Sequence, residues 1–294
     1  MGARPRQSPP SIEIEPTYDQ MCDAAAGKIL ALARQAIAAR GRFSVALSGG
    51  TTPPGVYQRL ASPSLASAAD WPIWHIFWGD ERWVQPQNPH SNYQMACATL
   101  LDHVPVDPAQ VHPMVPLGWA PPAPDRSQRV AREGMAGEPA EAASSYEVTL
   151  ESELEVDEDS DAGLASTGRR PPRLDLVLLG LGGDGHTASL FPGAVAVEEQ
   201  SRWVVATPAP GGAGERDLPR LTLTLPVLNA AREVIFLVSG AAKSEIVAAV
   251  LKDAEGPVPE RRPRPLPAAR VVPDDGQLTW LLDEDAAGDL RPRV

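Results

Sequence analysis

The chain has 294 residues and 43% of them are hydrophobic, so it is long enough and apolar enough to bury a sizeable core. No run approaches the roughly 18 apolar residues of a membrane span, and residues 1–15 lack the apolar stretch of a secretory signal. The net charge is −12, but eleven acidic and no basic residues lie in the segment from Glu133 to Gly168, which leaves a charge of −1 for the rest of the chain. Because the rest of the chain has no basic stripe, a nucleic-acid-binding surface is not expected.

The two cysteines, Cys22 and Cys97, lie in separate helical patterns, and their spacing predicts neither a disulfide framework nor a zinc site. A reducing cytoplasm is the simplest setting for such a chain. Residues 1–15 are predicted to form a flexible lead. Apolar residues spaced three and four apart then predict a helix over 19–40, which Gly41 ends. The predicted elements that follow are a strand over 43–47, a helix from Pro53 to Leu60, a strand over 74–81 and a helix over 91–103.

The middle of the chain differs in composition from its flanks. Residues 116–140 are rich in proline, alanine and glycine and are predicted to be irregular, with one short helix at 126–133. A helix is predicted over 140–154, and residues 155–172 are predicted to form a mobile acidic insertion. The remaining predicted elements are strands over 174–179, 203–206, 233–240 and 278–282, a helix over 241–251, a last helical turn over 283–287 and a tail over 288–294.

Strands that alternate with helices predict an α/β fold built from parallel βαβ units. The stretch "LDLVLL" at 174–179 is apolar except for Asp175, as expected of a strand that is buried on both faces of a parallel sheet. In such sheets, ligands bind outside the carboxyl ends of the strands. The residues that follow each strand are therefore the candidates for the functional site.

One of these strand ends matches the dinucleotide-binding fingerprint. Gly180, Gly182 and Gly185 in "GLGGDGHTASLF" have the G-x-G-x-x-G spacing. A dinucleotide fold needs a long helix after the third glycine, but Pro192-Gly193 follows after only six residues. The motif also lies in mid-chain and lacks an acidic residue about 20 positions further on. We therefore expect no dinucleotide site.

The other strand ends carry groups that bind anions. "SGGTTP" after the first predicted strand combines glycine amides, hydroxyls and a helix N-terminus, although an ordinary tight turn has the same composition. Arg82 follows the second predicted strand, Arg220 precedes "LTLTL", and Lys243 follows "EVIFLVSG". His186 is suited to accept a proton from water near neutral pH, oriented by Asp184 or a backbone carbonyl. Its alternative role is to cap a short helix, and His75, His103 and His112 are assigned no chemical role.

Five blocks of the sequence, spanning about 16–287, resemble the 6-phosphogluconolactonase family. Glucosamine-6-phosphate deaminase and, more distantly, ribose-5-phosphate isomerase belong to the same superfamily. The resemblance implies one domain over 16–287, with a modified Rossmann-like three-layer α/β sandwich, a mostly parallel sheet and no dinucleotide. The blocks, in the order that the family shows, are "ALSGGTTP", "WGDERWVQPQNPHSNYQMA", "LDLVLLGLGGDGHTASLFPG", "RLTLTLPVLNAAREVIFLVSGAAKSEIV" and "LTWLLDEDAA".

The resemblance implies hydrolysis of 6-phospho-D-glucono-1,5-lactone to 6-phospho-D-gluconate, without a metal or cofactor, by a monomer or weak homo-oligomer. His186 would be the general base, Asp184 would hold it, and Arg82 would stabilise developing negative charge together with backbone amides of the glycine loop. The residues that would bind the substrate and its phosphate are Ser48, Gly49, Gly50, Thr51, Asp80, Gly182, Gly183, Arg220 and Lys243.

Two other functions are considered. The deaminase loop resembles D-G-H-x-A-x-x-E, and here the last position is Phe191, which carries no proton; Asp80 matches that family's other strand end and leaves an enolising base in place. A non-catalytic sugar-phosphate sensor would need a basic helix-turn-helix, for which the short proline-rich start of this sequence has no room. Lactone hydrolysis is therefore the predicted activity.

Overall fold

The computed structural model describes residues 9–117, 138–154, 170–208, 218–255 and 265–290. Its centre is a six-stranded sheet in which every neighbouring pair of strands is parallel. In spatial order the strands are β1 (Ser11–Glu15), β9 (Gln277–Asp283), β8 (Glu233–Val238), β5 (Leu176–Leu179), β2 (Phe43–Leu47) and β3 (Trp74–Trp78).

A second sheet of three antiparallel strands lies beside the first, in the order β4 (Asp80–Arg82), β7 (Arg220–Leu223) and β6 (Val204–Thr207). The predicted α/β fold with a mostly parallel sheet is confirmed. The α-helices are α1 (Tyr18–Arg40), α2 (Pro53–Leu60), α3 (Pro63–Ala66), α4 (Asn92–Thr99), α5 (Pro139–Glu153), α6 (Leu225–Ala230), α7 (Ser244–Glu255) and α8 (Glu284–Ala287).

The core lies on both faces of the large sheet. All residues of β2 and β5 are buried, as expected for inner strands of a parallel sheet, and Ser44 is the one polar residue among them. Helix α1 packs its buried face, which includes Met21, Ala25 and Ile29, against this core, and Gly41 ends it in the left-handed conformation with φ +74°. Among the described helices, none has both the length and the hydrophobicity needed to cross a membrane.

Two predicted element boundaries are wrong. Residues 11–15, assigned to the flexible lead, form β1 by pairing with the free edge of β9. The sequence of a short, charged segment does not predict such a pairing, because the backbone hydrogen bonds depend on a strand that is distant in the chain. The single strand predicted over 74–81 divides at Gly79. The Gly79 amide donates to Leu47 O and its carbonyl accepts from Leu223 N, so the chain leaves the large sheet there and continues as β4 of the small one.

Smaller differences concern helix ends. The helix predicted over 91–103 ends at Thr99, because Leu100 leaves the helical region with φ −140° before a 3₁₀ turn at Leu101–His103. Helix α5 begins at Pro139, inside the segment predicted to be irregular, and the tail forms a 3₁₀ turn at Gly288–Leu290. The predicted helix at 126–133 and most of the acidic insertion, 155–169, lie outside the described residues.

Candidate active site

A cleft of about 650 Å³ opens at the carboxyl ends of the parallel strands, with the small sheet as its other wall. Every residue predicted to take part in chemistry or binding lines this cleft except Asp184, which lies behind His186. Loops after β2, β5 and β8 supply one side, and β4 and β7 supply the other. The predicted residues on its surface are Ser48, Gly49, Gly50, Thr51, Asp80, Arg82, Gly182, Gly183, His186, Arg220 and Lys243.

The loop after β5 presents His186 in a fixed orientation. Gly182 N donates to His186 O at 2.8 Å, and Gly185, with φ +83°, donates to Gly182 O at 3.0 Å. A Cβ atom on Gly182 would lie 2.0 Å from His186 Nδ1, so only glycine leaves room for the imidazole. The glycines that imitate a dinucleotide fingerprint therefore provide space and turn geometry for a histidine.

Asp184 holds the imidazole from behind. Its Oδ1 lies 2.5 Å from His186 Nδ1 and accepts the His186 backbone N–H at 3.1 Å. A carboxylate only accepts hydrogen bonds, so Nδ1 carries a proton and Nε2 is left to accept one. Partial burial acts to raise the pKa of Asp184, but the amide and imidazole of His186 outweigh it and lower that pKa. The ionised carboxylate is thus the stable form next to His186.

The segment after His186 forms no helix, so the alternative role of His186 as a helix cap is wrong. Thr187 and Leu190 pair across a tight turn, and Ala188 within it has φ +46°, a conformation that costs a residue with a Cβ about 1–2 kcal/mol. The ring of Phe191 lies 4.7 Å from the imidazole at 55°. An apolar side chain thus occupies the position next to His186 where the deaminase pattern has a carboxylate.

The glycine–hydroxyl loop after β2 is held at both ends. The hydroxyl of Tyr57 accepts from Ser48 N and donates to Ser48 O, each at 2.9 Å, and Thr52 Oγ1 lies 3.0 Å from Ser239 Oγ. Gly50 has φ +100°, and a Cβ atom on Gly49 would lie 1.9 Å from Asn92 Oδ1. This turn therefore requires glycine at both positions and leads directly into α2.

Two arginines are cross-strand neighbours in the small sheet. Arg82 and Arg220 are register partners in the β4–β7 pair. Arg82 Nη1 donates to His90 O at 2.7 Å, whereas Arg220 Nη1 is buried and has no hydrogen-bond partner among the described residues. Burial first, and then the charge of Arg82, lower the pKa of Arg220. An anion in the cleft would satisfy Nη1 and reduce the repulsion between the two cations.

Lys243 lies on the opposite side of the cleft, in a 3₁₀ turn just before α7. Its Nζ donates to Leu181 O at 2.7 Å, so one of its three protons is committed to the glycine loop. The other two remain available to a ligand. Lys243 thus links a cationic group to the loop that carries His186.

The sequence did not identify Ser189 and Asn92, which also line the cleft. Ser189 Oγ donates to Asp80 Oδ2 at 2.6 Å, and Asn92 Nδ2 donates to Asp80 O at 2.8 Å and Oδ1 at 3.3 Å. Asp80, which was predicted to bind substrate, lines the cleft, and its buried carboxylate also ties the loop that carries His186 and helix α4 to β4. No sequence signal indicates this network, because Ser189 and Asp80 are 109 positions apart.

Several known proteins are similar to this chain. The family model described as glucosamine-6-phosphate isomerases/6-phosphogluconolactonase matches residues 16–280. A Synechocystis protein named 6-phosphogluconolactonase is 39% identical over 88% of this chain and 89% of its own length. A Mycobacterium leprae protein of the same name is 37% identical over 95% of this chain and 98% of its own.

Solved structures give the same result. The 6-phosphogluconolactonase from Trypanosoma brucei is 29% identical, with a TM-score of 0.74 over 96% of this chain and 99% of that one. A monomeric glucosamine-6-phosphate deaminase superposes with a TM-score of 0.66 over 96% of this chain and 100% of its own, but at 19% identity it shows a shared fold only.

Proposed function

This chain belongs to the glucosamine-6-phosphate isomerase and 6-phosphogluconolactonase family, and we propose that its cleft hydrolyses 6-phospho-D-glucono-1,5-lactone to 6-phospho-D-gluconate with His186 as the general base. Lactone hydrolysis in the pentose phosphate pathway is its activity. The pair formed by Asp184 and His186 is the observation that carries the mechanism.

In the proposed reaction, His186 Nε2 accepts a proton from a water molecule as the water oxygen bonds to the lactone C1. The C1 carbonyl becomes a tetrahedral oxyanion. When this intermediate collapses, the bond between C1 and the ring oxygen breaks, and the proton on Nε2 passes to that oxygen, which becomes the C5 hydroxyl. Asp184 keeps the proton on Nδ1 and stabilises the imidazolium that forms between the two steps.

Cationic and amide groups bind the charged parts of the substrate in this proposal. The loop Ser48–Thr51, with Arg220 and Lys243, binds the 6-phosphate, which is remote from the reacting carbon. Arg82 and the amides of Gly182 and Gly183 stabilise the oxyanion. Support for Arg220 as a phosphate ligand comes from its buried, unpartnered Nη1. Binding energy from the phosphate holds C1 near His186.

We also propose that the protein is cytoplasmic and has no nucleic-acid partner. It acts as a monomer or weak homo-oligomer, and the reaction uses no metal or cofactor. Both cysteines are unpaired, and the charge outside 133–168 is close to zero. Three relatives from rice carry the word chloroplastic in their names, so compartment varies among the relatives of this chain.

Parallel assays on the purified chain test the function. With 6-phosphogluconolactone, we expect formation of 6-phosphogluconate far above the spontaneous rate, measured by NMR. With glucosamine 6-phosphate, we expect no ammonia release, since Phe191 offers no proton to open the ring. Ammonia release without accelerated lactone hydrolysis would overturn the proposal in favour of the deaminase.

A further inference from the structure

A cluster of metal-ligating side chains lies outside the cleft. His75 is on β3, and Glu153 is the last residue of α5. His112 follows Val111, which forms a β-bridge with Ile76 of β3. One nitrogen from each histidine and one carboxylate oxygen all lie within 4.8 Å of one another. None of the three residues lines the cleft, so the proposed hydrolysis makes no use of them.

Two nitrogens in this cluster have no hydrogen-bond partner. His75 Nδ1 and His112 Nε2 are buried, and no described residue pairs with either. Glu153 Oε2 lies 3.7 Å from His75 Nδ1, which is beyond hydrogen-bond range. Buried polar atoms without a partner are uncommon and costly, so a cation bound by these two nitrogens would remove a cost at both.

Charged groups of both signs act on the cluster. Arg42 opposes a cation at His75, whereas Glu153 and Asp175 favour one. Burial, the largest cause, lowers the pKa of both imidazoles and so disfavours their charged form.

We propose that His75, His112 and Glu153 form a binding site for one Zn²⁺ ion, with water as the fourth ligand. Two imidazole nitrogens and one carboxylate are a donor set suited to zinc, whereas Ca²⁺ and Mg²⁺ prefer oxygen donors only. With bonds of about 2.1 Å, tetrahedral ligands lie about 3.4 Å apart, so the three donor atoms must approach one another.

The required movement is small and involves side chains. The two imidazoles stack with ring centroids 5.7 Å apart at 12°, and one must rotate so that both lone pairs point to a common centre. The Glu153 side chain is 37% exposed at the end of its helix, so its carboxylate can follow the ion. Metal binding would join the end of α5 to the edge strand β3, and it would raise thermal stability.

The test uses the full chain, stripped with a chelator and titrated with Zn²⁺ by calorimetry in the presence of a competing chelator. Co²⁺ absorption provides a second readout, because tetrahedral Co²⁺ absorbs strongly in the visible region. The variants are His112→Gln, Glu153→Gln and, as the matched control, His103→Gln, whose ring contacts Ala98 O away from the cluster.

We expect one tight Zn²⁺ per chain, a shift to higher melting temperature with metal, and tetrahedral Co²⁺ bands. His112→Gln should weaken binding at least 100-fold and remove both signals, Glu153→Gln should weaken it at least 10-fold, and His103→Gln should change neither. Lactone hydrolysis should be unchanged in the metal-free His112→Gln variant. Absence of stoichiometric binding to the unmodified chain, or binding that survives His112→Gln and Glu153→Gln, would overturn the proposal.

Discussion

Replacement of Arg220 by methionine separates a functional residue from a structural one, because the two roles predict opposite effects on stability. In the ligand-free protein, Arg220 Nη1 is buried without a partner, and its guanidinium faces Arg82. Methionine keeps most of the aliphatic length and removes the charge. We therefore expect Arg220→Met to bind substrate poorly while the empty protein keeps or gains stability.

The magnitudes follow from these contacts. A buried donor without a partner costs about 1–3 kcal/mol, and the attraction of Arg220 to Asp80 and Glu81 returns part of that cost. A net gain of about 1 kcal/mol would raise the melting temperature by about 2–4 °C. A hydrogen bond to a charged group contributes about 1.5–3 kcal/mol, so its loss should raise KM by roughly 10- to 150-fold.

Two measurements check this prediction. Thermal unfolding with and without 6-phosphogluconate gives the stability of the empty protein and the shift caused by the ligand. Steady-state hydrolysis, corrected for the spontaneous reaction, gives KM and kcat. Arg270→Met is the matched control, because Arg270 pairs with Glu198 on the surface at 2.7 Å and should affect neither KM nor the ligand shift.

An Arg220→Met protein that melts several degrees lower, with KM unchanged, would refute the reasoning. That outcome would mean that Arg220 supports the β4–β7 pair and does not bind phosphate. If KM rises and the protein is also partly unfolded, the kcat of the fraction that remains folded distinguishes loss of substrate binding from loss of structure.

Asp184→Asn should reduce kcat by at least about 100-fold with little change in KM, because the amide can hold the wrong imidazole tautomer; steady-state kinetics with the control Asp102→Asn would check it, and equal kcat would contradict it. Since the folded protein lowers the pKa of Asp184, the stability advantage over Asp184→Asn should exist above the ordinary aspartate pKa and disappear as pH falls through the folded value; urea unfolding at decreasing pH measures this, and a gap that widens in acid would be inconsistent. Lys243→Met should raise KM about 10-fold or more and lower kcat less, since the phosphate is remote from C1; unchanged KM against a Lys252→Met control would remove Lys243 from the site.

The sequence predicted the parts of the fold that local patterns determine. Largely apolar runs located β2, β5 and β8. The rule that ligands bind at strand ends predicted that Ser48, His186 and Lys243 lie in one cleft. The exit of the chain at Gly79 was not predictable, since it depends on hydrogen bonds to Leu47 and Leu223, which are distant in sequence.

The unpredicted features all depend on contacts between distant residues. Ser189 and Asn92 became part of the site through Asp80; both lie in sequence blocks that resemble the family, but no role was predicted for either. His75 and His112 were assigned no chemical role because each stands alone in its segment. The bridge between Val111 and Ile76 brings their rings together.

The most direct test of the account is the rate of lactone hydrolysis by His186→Ala, measured together with binding of 6-phosphogluconate. In the proposed mechanism, His186 accepts the proton from water and does not bind the phosphate. We predict that kcat falls by about 100- to 10,000-fold after subtraction of the spontaneous reaction, while the dissociation constant changes by less than about threefold. A variant that turns over the lactone within about threefold of the unmodified chain would contradict the assignment of His186 as the general base.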